Sequence, residues 1–202
     1  GICRGLDEYD RGQYNSEENV SFASGACVLV RRDALREIGI CDDLFFMYME
    51  DLDWGWRGRV LGWQSTYVPS SMIHHKRTDA LGDSKEKFYH LELGRMIVLM
   101  KNLAFRSVLV ISPILAICEI AVLANAVMKR WFFQKVRAYA CTLKLFNMIV
   151  DRRGRLMKHR PVSDRIILKK FVTELNHPYV GAAGVALGRV CKVFFRVLSP
   201  FL

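Results

Sequence analysis

The chain has 202 residues, 51% of them hydrophobic, and a formal net charge of +10, enough for one domain or one and a half. Its six cysteines, at positions 3, 27, 41, 118, 141 and 191, include no Cys-x-x-Cys pair, which excludes a zinc ribbon or a dithiol redox motif. Residues 1–100 carry 12 Lys+Arg against 16 Asp+Glu, and residues 101–202 carry 18 against 4, so an acidic half precedes a strongly basic one.

The first twenty residues are polar and turn-rich. They start with Gly in loop-like sequence, with no charged start and apolar run of a secretory leader, so the chain is expected to be the later part of a longer protein. The cysteines stand mostly in apolar surroundings, are expected to be small buried hydrophobes, and fit a reducing compartment. A short strand is expected at Ala26–Val30. Next, "RRDALREIG" predicts a helix capped by Asp33, with Ala34, Leu35 and Ile38 as its apolar side and Gly39 at its end.

"EDLDWGWRGRVLG", residues 50–62, reads as a second helix. Its acids lie in the first turn, where free N–H groups and the helix dipole favour negative charge. Leu52, Trp56 and Val60 share one face, and Gly62 suits the stop. "WQSTYVP" is a strand ending at Pro69, followed by His74 and His75. Strand, helix, helix and strand indicate an α/β unit with too few strands for a complete sheet.

From Glu86 the pattern becomes helical, with Phe88, Leu91, Arg95 and Leu99 along one line. Residues 107–128 are apolar and long enough to cross a bilayer. Within them Glu119 and Asn125 argue against a simple lipid-facing span, and Pro113 is expected to kink the helix. Beyond them Arg130, Arg137 and Lys144 repeat on one face, with Phe132, Val136, Tyr139 and Leu143 on the other, the pattern of a helix in a membrane interface. "DRRGRLMKHRP" is expected to be a basic turn, and the last stretch, from Val180, carries Arg189, Lys192 and Arg196 on one side. Cations interleaved with Leu, Val, Ile and Phe fit a membrane surface better than nucleic acid, for which no module pattern is present.

The stretch "DDLFFMYMEDLDWGWR" sets carboxylates among large apolar side chains, which is costly if they are buried. Glu50 and Asp51 can be read as helix capping, or as carboxylates at the mouth of a sugar cleft with Tyr48, Trp54 and Trp56 as packing faces. The order Ser24-Gly25-Ala26, Arg31-Arg32, Cys41-Asp42-Asp43, Glu50-Asp51, Asp53, Trp56-Arg57, Gly62-Trp63, Pro69 and His75 closely resembles the C-terminal half of the catalytic domain of family-2 glycosyltransferases, rhamnosyltransferase-like branch. The resemblance covers about residues 1–100. Two positions depart from it: Cys41 stands for a Phe, and Leu93-Gly94-Arg95 for an Arg-Asn-Arg element.

That resemblance implies a partial GT-A, Rossmann-like α/β domain over 1–100, on the acceptor side, and a basic, mostly helical membrane-associated region over 101–202. It implies an inverting transfer of sugar from a nucleotide-sugar donor to a lipid-linked or growing saccharide acceptor at the cytoplasmic face of the cell membrane. Asp51 would be the general base and Glu50 its neighbour on the acceptor. Ser24, Gly25, Ala26, Asp53, Trp56 and Arg57 would line the substrate, although for Asp53 and Arg57 a structural pair is the favoured alternative. His75 would lend a ligand to a divalent cation whose main ligands, a DXD motif, lie outside this chain. The rival expectations are an inactive truncated fragment and a non-enzymatic membrane-bound interaction module.

Overall fold

The computed structural model describes residues 8–75 and 84–168, with short helical pieces at 188–189, 192–193 and 196–198. The expected basic stripe of the last stretch therefore lies mostly outside the described residues. In chain order the elements are β1 (Glu18–Val20), α1 (Arg32–Ile38), α2 (Glu50–Val60), β2 (Ser65–Tyr67), α3 (Lys85–Asn102), α4 (Phe105–Met128), α5 (Phe132–Lys144), α6 (Phe146–Lys158) and α7 (Asp164–Leu168). The described chain is thus mostly helical. Its one sheet is the antiparallel pair β1–β2, with Glu18 opposite Tyr67 and Val20 opposite Ser65.

The expected strand at Ala26–Val30 is absent. Ser24–Cys27 form a turn, closed by the Cys27 N–H on the Ser24 carbonyl at 3.3 Å, and Leu29 is fully exposed. A run of β-formers without a neighbouring strand has no ladder to join. The strand that does form, β1, comes from the polar stretch read as loop. Cys27 and Cys41 are exposed, against the expectation of buried thiols.

The α1 helix is found where expected, but Arg31 holds the cap position without a side-chain hydrogen bond, and Leu35 faces solvent. Only Ala34 and Ile38 are buried. The α2 helix buries Leu52, Trp56 and Val60, as their spacing predicts. It ends at Gly62, whose φ of 94° is left-handed. Two glycines let other segments approach α2: a Cβ on Gly55 would lie 2.4 Å from Phe22 Cβ, and one on Gly58 3.1 Å from Ile38 Cδ1. Arg59 fastens α2 to the end of β1 through the Ser21 and Val20 carbonyls.

The α3 helix is the centre of the fold. Tyr89, Leu93 and Ile97 enter a core with Leu44, Ala138 and Ile149. Val98 enters another with Leu52, Trp56, Val60, Leu103, Ile111 and Ile167. The expected line Phe88–Leu91–Arg95–Leu99 is only half-buried. A helix enclosed on several sides, with Glu92, Lys101 and Asn102 among its buried residues, gives no single apolar stripe for periodicity to find. Both cores draw residues from before and after position 100.

The α4 helix continues through Pro113. It is bound to α3 and α5 by a polar cluster. Lys135, fully buried, donates to Glu92 and, at 2.6 Å, to Glu119. Arg95 lies 2.8 Å from Glu92 and 2.5 Å from Glu119, and the Tyr139 hydroxyl donates to Glu119. Burial raises the Glu119 pKa, but hydrogen bonds from Lys135, Tyr139 and Arg95 outweigh it and bring the carboxyl down to about 2.

The face that α5 buries is Lys135, Ala138 and Thr142; of the line expected at a membrane interface, Phe132, Val136 and Leu143 are exposed and Tyr139 is half-buried. Arg137 pairs with Glu86 at 2.6 Å and lies over the Tyr89 ring. The expected basic turn at 151–161 is mostly helix α6, and two of its cations reach inward: Arg152 binds Asp42 and Asp43, and Arg153 the Met100 carbonyl.

Gly55→Ala should lower stability by about 1–3 kcal/mol, because the new methyl overlaps Phe22. Gly154→Ala, in the exposed middle of α6 with nothing near its Cβ, should instead raise it by roughly 0.5–1 kcal/mol; urea melts compare the two. Glu119 is depressed in the fold, so its contribution is complete above the ordinary carboxylate range and is lost as pH falls toward about 2. Glu119→Gln should flatten that part of the melting-temperature profile.

Candidate active site

The candidate site is built at the start of α2. Two consecutive residues before it, Tyr48 (φ 66°) and Met49 (φ 67°), adopt the left-handed conformation, which costs a non-glycine residue roughly 1–3 kcal/mol. The bend is seated on α3. A Cβ on Gly94 would fall 2.9 Å from Met49 Cβ and Cγ and 3.3 Å from the Tyr48 carbonyl oxygen. Glycine at 94, one of the two departures from the family pattern, thus makes room for this turn.

The bend delivers Glu50 and Asp51 to the first turn of α2, where free N–H groups favour anionic side chains. Asp51 is half-buried. Its Oδ1 accepts the Leu52 N–H at 2.7 Å and its Oδ2 accepts the Gly25 N–H at 3.3 Å. The Ser24–Ala26 turn therefore lies against the carboxylate, and the Ala26 N–H folds back onto Ser24 Oγ at 3.3 Å. Glu50 Oε2 is buried with no hydrogen-bond partner among the described residues. Phe46, 79% exposed, packs against His90 with ring centroids 5.3 Å apart. The structure thus brings the Ser24-Gly25-Ala26 turn against Asp51, with Glu50 its neighbour on the helix.

Asp53, Trp56 and Arg57 lie behind this face, and in place of the expected substrate contacts they make structural ones. Trp56 is a core residue, 4% exposed. Arg57 binds Asp53 at 2.9 Å and the carbonyls of Ile38 at 2.6 Å and Ile40 at 2.9 Å. Trp54 is also turned from a sugar-stacking role, its Nε1–H donating to the Gly39 carbonyl at 2.8 Å.

Asp53 is fully buried and anchors the site's floor. Asn102 Nδ2 donates to its Oδ1 at 2.9 Å, and Lys101 Nζ lies 2.7 Å from the same oxygen. Lys101 also lies 2.6 Å from Asp42 Oδ2, while Arg152 holds Asp42 Oδ1. Burial pulls the Lys101 ammonium below its usual range, and Asp53 opposes that pull. Sequence reasoning missed Lys101, Asn102 and Arg152. Each looks like an ordinary helix residue, and nothing local says that it meets an acid 49 to 110 positions earlier.

His75 is exposed, and among the described residues no three His, Cys, Asp or Glu side chains converge on a point that could hold a metal. The described donors therefore do not by themselves fit a divalent cation.

Two of the sequence elements that carry the resemblance, Ser24-Gly25-Ala26 and Glu50-Asp51, thus meet through Asp51 at the start of α2. The chain belongs to glycosyl transferase family group 2, whose model matches residues 8–151. It is also similar to the N-acetylglucosaminyl-diphospho-decaprenol L-rhamnosyltransferases of Mycobacterium tuberculosis strains CDC 1551 / Oshkosh and ATCC 25618 / H37Rv. Each is 52% identical over 62 residues, 30% of this chain and 20% of the relative, so only a small part of those proteins is represented. No solved structure gives a significant match.

Lys101→Ala would leave Asp42 and Asp53 facing each other's surroundings without their shared cation, at a cost of about 3–5 kcal/mol. Lys158→Ala, at an exposed position, should change stability by less than about 0.5 kcal/mol, and urea denaturation of both variants checks the contrast.

Proposed function

We propose that the protein is an inverting, nucleotide-sugar-dependent glycosyltransferase of the rhamnosyl or hexosyl type, with Asp51 as its general base. The observation that carries this reading is the carboxylate of Asp51, half-exposed at a helix start and fixed by two backbone N–H groups. A carboxylate so held accepts the proton of an acceptor hydroxyl as that oxygen attacks the donor's anomeric carbon. The bond from that carbon to the nucleoside diphosphate breaks, and its electron pair leaves with the diphosphate. Glu50, beside Asp51 in the first turn of α2, would bind the acceptor or orient the base. Gly25, whose backbone approaches Asp51, would let substrate come close beside Ser24 and Ala26.

Residues 1–100 would then be the acceptor side of a GT-A catalytic domain. The donor side and the main cation ligands would be supplied by sequence beyond this chain. The acceptor would be a lipid-linked or growing saccharide of the cell envelope, reached from the cytoplasmic face. Support comes from the named acceptor of the mycobacterial relatives and from α4, a 24-residue helix long and apolar enough to cross a membrane. The helices from residue 101 onward would hold the site at that surface.

In the full-length enzyme, Asp51→Asn should reduce turnover about 10²–10⁴-fold while leaving nucleotide-donor affinity close to wild type. Transfer of labelled sugar to a polyprenyl-linked acceptor measures the first and titration calorimetry the second. Near-normal transfer by this variant would remove Asp51 from the role.

A further inference from the structure

The α4 helix carries two opposed stripes. Along one, Ser107, Ile111, Glu119 and Ala126 meet the rest of the fold. The start of the helix is held by the Ala104 N–H on Asp164 Oδ2 at 2.8 Å, and its end by the following Trp131, whose ring stacks on Phe88 of α3 with centroids 4.9 Å apart. The attachment runs the whole length of the helix. Along the other stripe Phe105, Leu109, Ile120 and Val127 are between 57% and 69% exposed. Only 11% of the most apolar part of α4 is buried, so this is not the core helix of a globular body. On α5, Phe133 is 82% exposed as well.

We infer that α4 lies in the plane of the membrane interface, its Phe105–Leu109–Ile120–Val127 stripe among the acyl chains and its Glu119 stripe on the protein body, and does not cross the bilayer. The inference extends the proposed membrane association and rests on that part of the reading alone. Three observations select lipid as the occupant and the flat orientation. First, a crossing helix would carry Glu92, Arg95 and Lys135, which line its inner stripe, to bilayer depth; each charge costs at least roughly 2.5–3.5 kcal/mol at the bilayer centre. Flat on the surface, the same groups stay above the acyl region. Second, exposed cations stand at both ends of the helix, Arg106 at one and Lys129 with Arg130 at the other, where they complement anionic headgroups. Third, Pro113 has no N–H for the Leu109 carbonyl, and the Ser112 hydroxyl supplies the missing donor at 2.8 Å. That carbonyl sits on the apolar stripe, and an unsatisfied backbone acceptor is expensive where lipid replaces water.

The test uses full-length protein in its own membranes, with native cysteines replaced and a single cysteine returned by Arg106→Cys or Lys129→Cys. A membrane-impermeant maleimide should label both variants in sealed inverted vesicles and neither in intact cells. Labelling of the two from opposite sides would establish a span and overturn the in-plane orientation while leaving membrane association intact. Recovery of the protein in the soluble fraction would overturn both. A second measurement follows flotation with phosphatidylglycerol-containing vesicles. Leu109→Glu should weaken binding about tenfold or more, from the lost burial of one leucine and the added charge, with an unchanged melting temperature. Undiminished binding by a folded Leu109→Glu protein would also overturn the proposal. Sugar transfer in detergent reports separately on the catalytic reading.

Discussion

The ammonium of Lys101, 1% exposed between Asp42 and Asp53, is the interaction on which the site-bearing part of the fold depends. Three charges in one dry place are stable only when each is matched, and here each is. Asp53 gains Arg57 and Asn102, Asp42 gains Arg152, and Lys101 has Phe45's ring face 5.2 Å away. The four elements joined are α2, the segment before it, α3 and α6. Asp53 sits two residues after Asp51, so the node sets where the first turn of α2 lies and what its carboxylates face.

A second polar cluster, around Lys135, does for α4 and α5 what the first does for α2. Together they recast the charge asymmetry of the chain. Acids of the first half pair with cations of the second: Asp42 with Lys101 and Arg152, Glu86 with Arg137, Glu92 with Lys135. Part of the imbalance between halves is therefore internal matching, four cations of the second half being paired with acids of the first. With Lys135 turned inward, the outward stripe of α4 is left to apolar side chains between its end cations.

The sequence was most informative where chemistry is local. Residues 50–60 show helical spacing, acids in the first turn and a glycine stop, and α2 forms there with Leu52, Trp56 and Val60 inward. The Asp53–Arg57 pair was legible for the same reason, being one turn apart on one helix. What was hidden is non-local. The buried stripe of α5 contains Lys135, which no hydropathy pattern would place inside, because its partners are on α3 and α4. Residues 26–30 have strand-like composition but no strand beside them. The turn at Tyr48–Met49 carries no glycine of its own; its permissive residue is Gly94, on another helix.

The span between the partners of the first node has a consequence for how the chain folds as it is made. Asp42 precedes Lys101 by 59 positions and Arg152 by 110. A nascent chain therefore displays the acids of its site long before the ribosome has released the cations that neutralise them. The early helix cannot settle with its carboxylates buried until α3 emerges, and the node is complete only once α6 has followed. In this fold part of the region that looks like a membrane appendage completes, last, the support beneath the candidate site.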